Sequence, residues 1–247
     1  MDLRKRSLLA LQRRFAGKKD RAFWQRAERM LRPALLGTLR RTSPLSDSYG
    51  FDRGLPIDRY YIEAFLSQHS PDIHGRVLEV KDNRYTKRFG RGVTRHDVLD
   101  VDAANARATI VADLSAADTV PDGIFDCFVL VQTLQFIYDV PAALRHAHRM
   151  LATGGVLLAT VPALSRVDRE LERRDFWRFT AASCQRLWQE AFGPDNVSVH
   201  SYGNVLTGIG FLAGMACEEL SRRELDATDE YFPLIIAVRA VKSEPLR

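Results

Sequence analysis

Several carboxylates and amides follow directly on short apolar runs: Glu79 within VLEV, Asp97 in VTRHD, Asp113 in IVADL, and Gln132 and Thr133 after FDCFVLV. In an open parallel sheet, ligands bind outside the carboxyl ends of the strands, so these positions are where binding chemistry belongs. Asp97 lies 17 residues beyond Val80. That is near the spacing of roughly 20 at which a carboxylate after the second strand accepts hydrogen bonds from ribose hydroxyls. Each position has a structural alternative, with Asp97 capping a turn and Asp113 capping the next helix.

Proton chemistry has three candidates, His146, His200 and Asp168. His146 and His148 are two apart on one predicted helix, so they point to different faces and do not share a site. The segment Asp175-Phe176-Trp177-Arg178-Phe179-Thr180 offers substrate contacts. Trp177 could stack on the apolar face of a sugar, and the Arg178 fork could hold a carboxylate or phosphate. The alternative is that Trp177 and Phe179 anchor the next helix while Thr180 caps it. Asp97, Asp100 and Asp102 do not share a strand face and no histidine joins them, so no metal site is expected. Cys127, Cys184 and Cys217 form no CxxC pair and read as buried thiols of a reducing compartment.

The elements that must position these residues follow from composition and pattern. At 247 residues, 46% apolar and 27% charged, the chain is an ordinary globular sequence with room for one domain and an appendage. No run reaches the roughly 18 apolar residues of a membrane span, and MDLRKRSLLALQRRF has no secretory apolar core, so a cytoplasmic location is expected. Charge is uneven: up to Arg41 the balance is +10, and beyond it −5. Residues 1–44 are therefore read as a basic helical arm and residues 45–247 as the main domain.

Within the arm, Gly17 and Lys18-Lys19-Asp20 mark a break, Pro33 starts or kinks a turn, and Phe23, Trp24, Met30, Leu31, Leu35 and Leu39 form an apolar stripe. The stripe suits docking on the body first, peripheral contact with anionic lipid second, and nucleic acid least. The Ser/Pro/Gly-rich stretch Thr42–Pro56 is the expected boundary, with the domain proper starting near Ile57.

Beyond it, helical and strand signals alternate. Helices are predicted over 58–68, 141–151, 181–192 and 205–220, and strands over 77–80, within 93–101, and over 108–112, 125–131, 156–161, 197–202 and 234–241. Short apolar strands separated by helices predict βαβ units and a mainly parallel sheet covered on both faces.

VLEV at 77–80, IVADL at 110–114, FDCFVLVQTLQFIYDV at 125–140 and RMLATGGVLLATVP at 149–162 resemble, in order, the motifs of class I S-adenosylmethionine-dependent methyltransferases. DRGLPIDRYYIEAFL, YTKRFG, FWRFT and SYGNVL resemble more narrowly a bacterial branch associated with glycosyltransferases of polysaccharide and glycosylated-metabolite biosynthesis. The resemblance spans about 42–242. It implies an α/β Rossmann-like fold with a seven-stranded sheet of order 3-2-1-4-5-7-6, helices on both faces and an antiparallel last strand.

The same resemblance implies S-adenosyl-L-methionine as cofactor and assigns roles. Glu79, with Val80, Lys81 and Asn83, would lie near the methionine end, and Asp97 with Val98 at the ribose. Asp113 and Leu114 would surround the adenine, with Gln132 and Thr133 below the methyl group. Arg59, Tyr60 and Tyr61 would form part of a lid. The sequence departs from the family where a cofactor loop usually carries three glycines, which are here Lys81, Asn83 and Tyr85. Asn83 tolerates the left-handed region better than most residues, whereas Lys81 adds a cation beside a cationic sulfonium.

The expected function is O-methylation of a saccharide hydroxyl, with a glycan or small-molecule acceptor. The alternative is a repurposed, non-catalytic fold acting as partner of a glycosyltransferase.

Overall fold

The computed structural model describes residues 18–31 and 37–243, and the chain divides into two compact units, Met1–Ser43 and Pro44–Arg247. In the first unit, helix α1 (Lys18–Leu31) exposes Phe23, Met30 and Leu31. Lys18-Lys19-Asp20 opens this helix and does not break it, because all three residues are compatible with a first turn. The expected segment before Gly17, Pro33 and Leu35 lie outside the described residues.

The second unit begins at Pro44, so the Ser/Pro/Gly-rich stretch belongs to the fold and the domain does not wait for Ile57. The Leu45 amide donates to the carbonyl of Ala213 at 2.6 Å, and the Cys217 amide to that of Leu55 at 2.8 Å. The sharp chain reversal that allows this is Gly214, which has φ +78°; a Cβ there would run into the backbone of Ser46.

Seven strands build one sheet: β1 (Gly75–Val80), β2 (Val93–Asp100), β3 (Ile110–Val111), β4 (Phe125–Val131), β5 (Leu151–Pro162), β6 (Val197–Tyr202) and β7 (Ile235–Val241). Their order is β3-β2-β1-β4-β5-β7-β6, with β7 antiparallel to both of its neighbours. Among the described residues of this unit, six helices join them: α2 (Ile57–Gln68), α3 (Arg84–Phe89), α4 (Val140–Met150), α5 (Ala181–Phe192), α6 (Val205–Ala213) and α7 (Arg222–Asp226). This is the Rossmann-like methyltransferase architecture. The predicted helix to 220 stops at Ala213 because Gly214 takes the left-handed conformation. The short α3 and α7 escaped the sequence pattern, being too brief to show a helical period.

Strand alternation sorts the core into two layers. Phe128 and Leu130 of β4 face one side and pack with Leu144 and Met150 of α4 and Trp188 of α5. Cys127 and Val129 face the other and pack with Ile62 and Phe65 of α2 and Phe211 of α6. Burial on both faces is why β4, β5 and β7 read as nearly continuous apolar runs.

Among the described residues, no helix is long and apolar enough to cross a membrane.

Candidate functional site

The carboxyl ends of β1, β2, β4 and β5 open into a cleft of about 860 Å³, roofed by the first turn of α2 and by Tyr49. Its size suits an extended ligand together with a second molecule, at the upper end of ordinary ligand pockets of about 300–1,000 Å³.

At the end of β1, Glu79 is buried and its two oxygens accept the amides of Tyr85 (3.1 Å) and Thr86 (2.8 Å) at the start of α3. Burial raises its carboxyl above the ordinary glutamate value, with the two amides working against that rise. The turn after Val80 is made by Lys81 itself, at φ +71°. The Lys81 amide donates to the Leu99 carbonyl at 2.9 Å, and Asn105 Nδ2 donates to the Lys81 carbonyl at 2.8 Å. A side chain in this region costs roughly 1–2 kcal/mol, so the two bonds hold a glycine-type turn without a glycine. Asn83 does not supply the turn: it has φ −121°, precedes α3 and does not line the cleft. Asp82 is held by Arg84, whose Nη2 donates at 2.9 Å.

At the end of β2 the carboxylate expected at the ribose does not reach the cleft. Asp97 is buried within the strand, 1% exposed, where Arg76 Nε (2.7 Å), Thr109 Oγ1 (3.0 Å) and Arg95 Nη2 (3.1 Å) all donate to it. Neither Asp97 nor the buried Val98 reaches the cleft. The strand runs three residues further, to Asp100, which does line the cleft and stands 20 residues beyond Val80. Asp100 is fixed by the Asp102 amide at 3.0 Å and by Asn105 Nδ2 at 2.6 Å.

Asp113 and Leu114 line the cleft after β3. Asp113 also caps the turn at 114–116, accepting from the Ser115 amide at 2.9 Å, so the capping and cleft readings hold together. After β4 the chain makes a second left-handed turn at Gln132, φ +47°, which presents Gln132 and Thr133 to the cleft. Gln135 is buried with 6% exposure, and its Nε2 donates to the Gln132 carbonyl at 3.0 Å. Gln132 Nε2 and Gln135 Oε1 have no protein partner.

The three proton-transfer candidates do not converge. Asp168 lines the cleft, but Oδ1 accepts the amides of Glu170 and Leu171 and Oδ2 accepts the Tyr49 hydroxyl at 3.1 Å. Burial, with the negative charge of Asp168 adding to it, pushes the Tyr49 hydroxyl up to about 12, although Arg166 stacks on its ring at 3.7 Å and opposes the rise. His146 sits on α4 away from the cleft, 4.0 Å from Asp118, and His200 is exposed on the edge strand β6.

The substrate segment is also largely structural. Arg178 borders the cleft, but Asp175 takes its Nη1 and Nη2, and the carbonyls of Ser165, Arg166 and Trp177 take the remaining N–H groups. With five donors per guanidinium, none is left for an acidic ligand. Trp177 gives its indole N–H to the Ile137 carbonyl at 3.1 Å, outside the cleft lining, and Phe179 is core. Thr180 caps α5 in a reciprocal pair with Ser183. Phe176 and Tyr138, which meet edge to face at 5.4 Å, form the aromatic rim instead.

The expected lid is divided. Arg59 lines the cleft, whereas Tyr61 is core, donating its hydroxyl to the Leu225 carbonyl at 2.9 Å, and Tyr60 donates to Asp226 at 2.5 Å. The neighbour of Arg59, Asp58, lines the cleft and escaped sequence reading. Its signal was an acidic residue in the first turn of a helix behind proline, which reads as ordinary capping chemistry.

Residues 57–193 match the family described as a methyltransferase domain. No curated protein matches the chain. Among solved structures, an S-adenosylmethionine-dependent methyltransferase from Mesorhizobium loti is similar at 18% identity and a TM-score of 0.52, over 75% of this chain and 99% of that one. A SAM-dependent methyltransferase from Archaeoglobus fulgidus is similar at 13% identity and 0.50, over 74% and 94%. The [4+2]-cyclase SpnF is similar at 14% identity and 0.52, over 88% and 94%. At these identities the likeness is one of fold.

Proposed function

Because the chain belongs to the methyltransferase-domain family, we propose that it uses S-adenosylmethionine to O-methylate a saccharide hydroxyl in polysaccharide or glycosylated-metabolite biosynthesis. When bound, the cofactor supplies a methyl group on a cationic sulfur. The chain's own residues suit it: the left-handed turn at Lys81 keeps the loop shape a glycine would give, and Asp100 offers the ribose its carboxylate. Asp113 and Leu114 border the adenine end, and Gln132 and Thr133 the reacting end.

The observation that carries the saccharide reading is that five side chains of the cleft lining hold buried polar atoms without a protein partner. Gln132 Nε2, Arg59 Nε and Arg166 Nε are donors, while Gln135 Oε1 and Asp58 Oδ1 are acceptors. Turned into the cleft, side chains of both kinds would meet a ligand that donates and accepts at several points, which a polyol does. The aromatic pair Tyr138 and Phe176 at the rim suits the apolar face of a sugar ring. Holding donor and acceptor in a near-attack geometry would then provide much of the acceleration.

The test is transfer of labelled methyl from S-adenosylmethionine to a mixture of p-nitrophenyl hexosides and 6-deoxyhexosides, read by mass as a gain of one methyl. Methylation of at least one glycoside is the expected result. Cofactor binding with no glycoside methylated would contradict the saccharide reading.

A second reading has its own support in Lys81, a cation in the cofactor loop. In it the fold is a non-catalytic partner of a glycosyltransferase, which the basic arm would engage. Absence of any S-adenosylmethionine binding by folded protein would favour it.

A further inference from the structure

We propose that the exposed apolar face of α6, with the neighbouring Tyr231 and Phe232, seats the protein on an anionic lipid bilayer, where the cleft receives a lipid-borne acceptor. The docking goes beyond the reading above, and the saccharide nature of the acceptor rests on it.

A surface helix ordinarily turns charged and polar side chains to water. In α6 the four exposed residues are Val205, Leu206, Ile209 and Leu212, and its sequence VLTGIGFLA holds no charged residue. Val205, Ile209 and Leu212 follow at i, i+4 and i+7, which makes one stripe along the helix. The opposite side is already committed to the core through Thr207 and Phe211. A single exposed leucine needs no explanation, but an uninterrupted apolar stripe marks an interaction surface.

At the start of α6 the Asp229 amide donates to the Gly203 carbonyl at 2.9 Å, just ahead of the Asn204 cap. The loop held there exposes Tyr231 by 89% and Phe232 by 53%. Tyr231 joins an apolar ring to a polar hydroxyl, the combination favoured at a boundary between lipid and water. On the flank of the helix, Leu164 lies against Gly208, where an added Cβ would stand 3.0 Å from Leu164 Cδ2. Leu164 is itself exposed and lines the cleft, so the apolar surface runs to the cleft mouth.

Charge selects the occupant. Around the patch the main unit is mixed in sign, with Asp229 and Glu230 before Tyr231 and with Arg222 and Arg223 on α7. The attraction comes from the arm, whose balance up to Arg41 is +10. The main unit begins at Pro44, and the next residue, Leu45, is bonded at 2.6 Å to Ala213, the last residue of α6. Chain connectivity alone therefore tethers the basic segment to that end of the stripe. An apolar face takes an apolar partner, a polybasic segment takes an anionic one, and an anionic bilayer is both. One weak signal gives only marginal attachment to a membrane, and two together make it stable.

The experiment floats the full chain with vesicles of phosphatidylcholine alone and of phosphatidylcholine with about one-third phosphatidylglycerol. Wild type should float with the anionic vesicles and less with the neutral ones. The variant Ile209→Gln/Leu212→Gln/Phe232→Ser changes exposed positions outside the cleft lining and should melt as wild type does. Its affinity for anionic vesicles should fall at least tenfold, since withdrawing one apolar side chain from water contributes about that factor. Its methylation of soluble p-nitrophenyl glycosides should match wild type, while methylation of long-chain alkyl glycosides held in anionic vesicles should fall at least fivefold.

A wild type that floats with neither vesicle, or a triple variant that floats as wild type does, would overturn the docking; methylation of soluble glycosides would still uphold the saccharide reading. Flotation lost in the variant, with no glycoside methylated by wild type, would uphold the docking and overturn the saccharide acceptor. Light scattering that finds a wild-type dimer and a monomeric variant, neither binding vesicles, would overturn the proposal in favour of a second copy. Should the triple variant not fold, Tyr231→Ser/Phe232→Ser in the loop carries the same test.

Discussion

Lys81 decides whether the cofactor loop is intact. Its left-handed backbone preserves the path of a glycine turn, and its side chain is exposed at the cleft. Glycine there would remove roughly 1–2 kcal/mol of backbone strain but return conformational entropy to the unfolded chain. The opposing terms leave Lys81→Gly near wild type in melting temperature, within about 3 °C for a domain of this size. Calorimetry should show S-adenosylmethionine affinity unchanged or improved by a few fold, and a large loss would mean that the lysine is itself a ligand. The sequence named the right loop and the wrong residue to carry it. Asn83 is the residue type that tolerates positive φ, but the tertiary bonds with Leu99 and Asn105 fix the turn two residues earlier. Arg178 misled for a related reason. A basic residue between aromatics has the composition of a ligand fork, and only the folded chain reveals that its five donors already have partners.

Strand β2 shows how an element assigns roles to its side chains. VTRHDVLD could end at either aspartate, and the apolar pair Val98 and Leu99 between them decides it, since both are buried in strand and carry the sheet on to Asp100. Asp97 is therefore a structural anion and Asp100 a cleft residue. Burial by itself would raise the Asp97 carboxyl, but the hydrogen bonds from Arg76, Thr109 and Arg95 outweigh it and hold the group below the ordinary aspartate value. Since the folded value lies below the unfolded one, the stabilisation is complete above the unfolded value and disappears as pH falls through the folded one. Asp97→Asn is expected to cost about 3 kcal/mol near neutrality, because two arginines lose their buried partner. Denaturant titrations from pH 7 downward should show the gap between variant and wild type closing as acid protonates Asp97. A gap independent of pH would contradict the charged role. The sequence could not separate these roles because a strand boundary is a tertiary property, set here by parallel pairing of Leu99 with Val80 and Ile110.

At the scale of the molecule, sheet order and cleft position were legible because the central strands β1, β4, β5 and β7 are largely buried and short strands alternate with helices along the chain, a pattern few architectures satisfy. Less legible was the extent of the domain. The stretch from Pro44 to Pro56 has the composition of a linker, yet it belongs to the folded unit and contributes Tyr49 to the cleft. Its turn-forming residues serve a close approach at Gly214, a contact 160-odd residues away in sequence that no local pattern could announce. The proposed reading of the sheet, the cleft and the loop after β1 is that this cleft binds S-adenosylmethionine with Asp100 at the ribose. Calorimetric titration of the folded chain with S-adenosylmethionine and S-adenosylhomocysteine, repeated on Asp100→Ala and Asp97→Ala, tests it most directly. Micromolar binding that falls at least tenfold in Asp100→Ala, and stays within threefold in whatever fraction of Asp97→Ala remains folded, is the expected result. No binding by wild type, or a loss confined to Asp97→Ala, would contradict it.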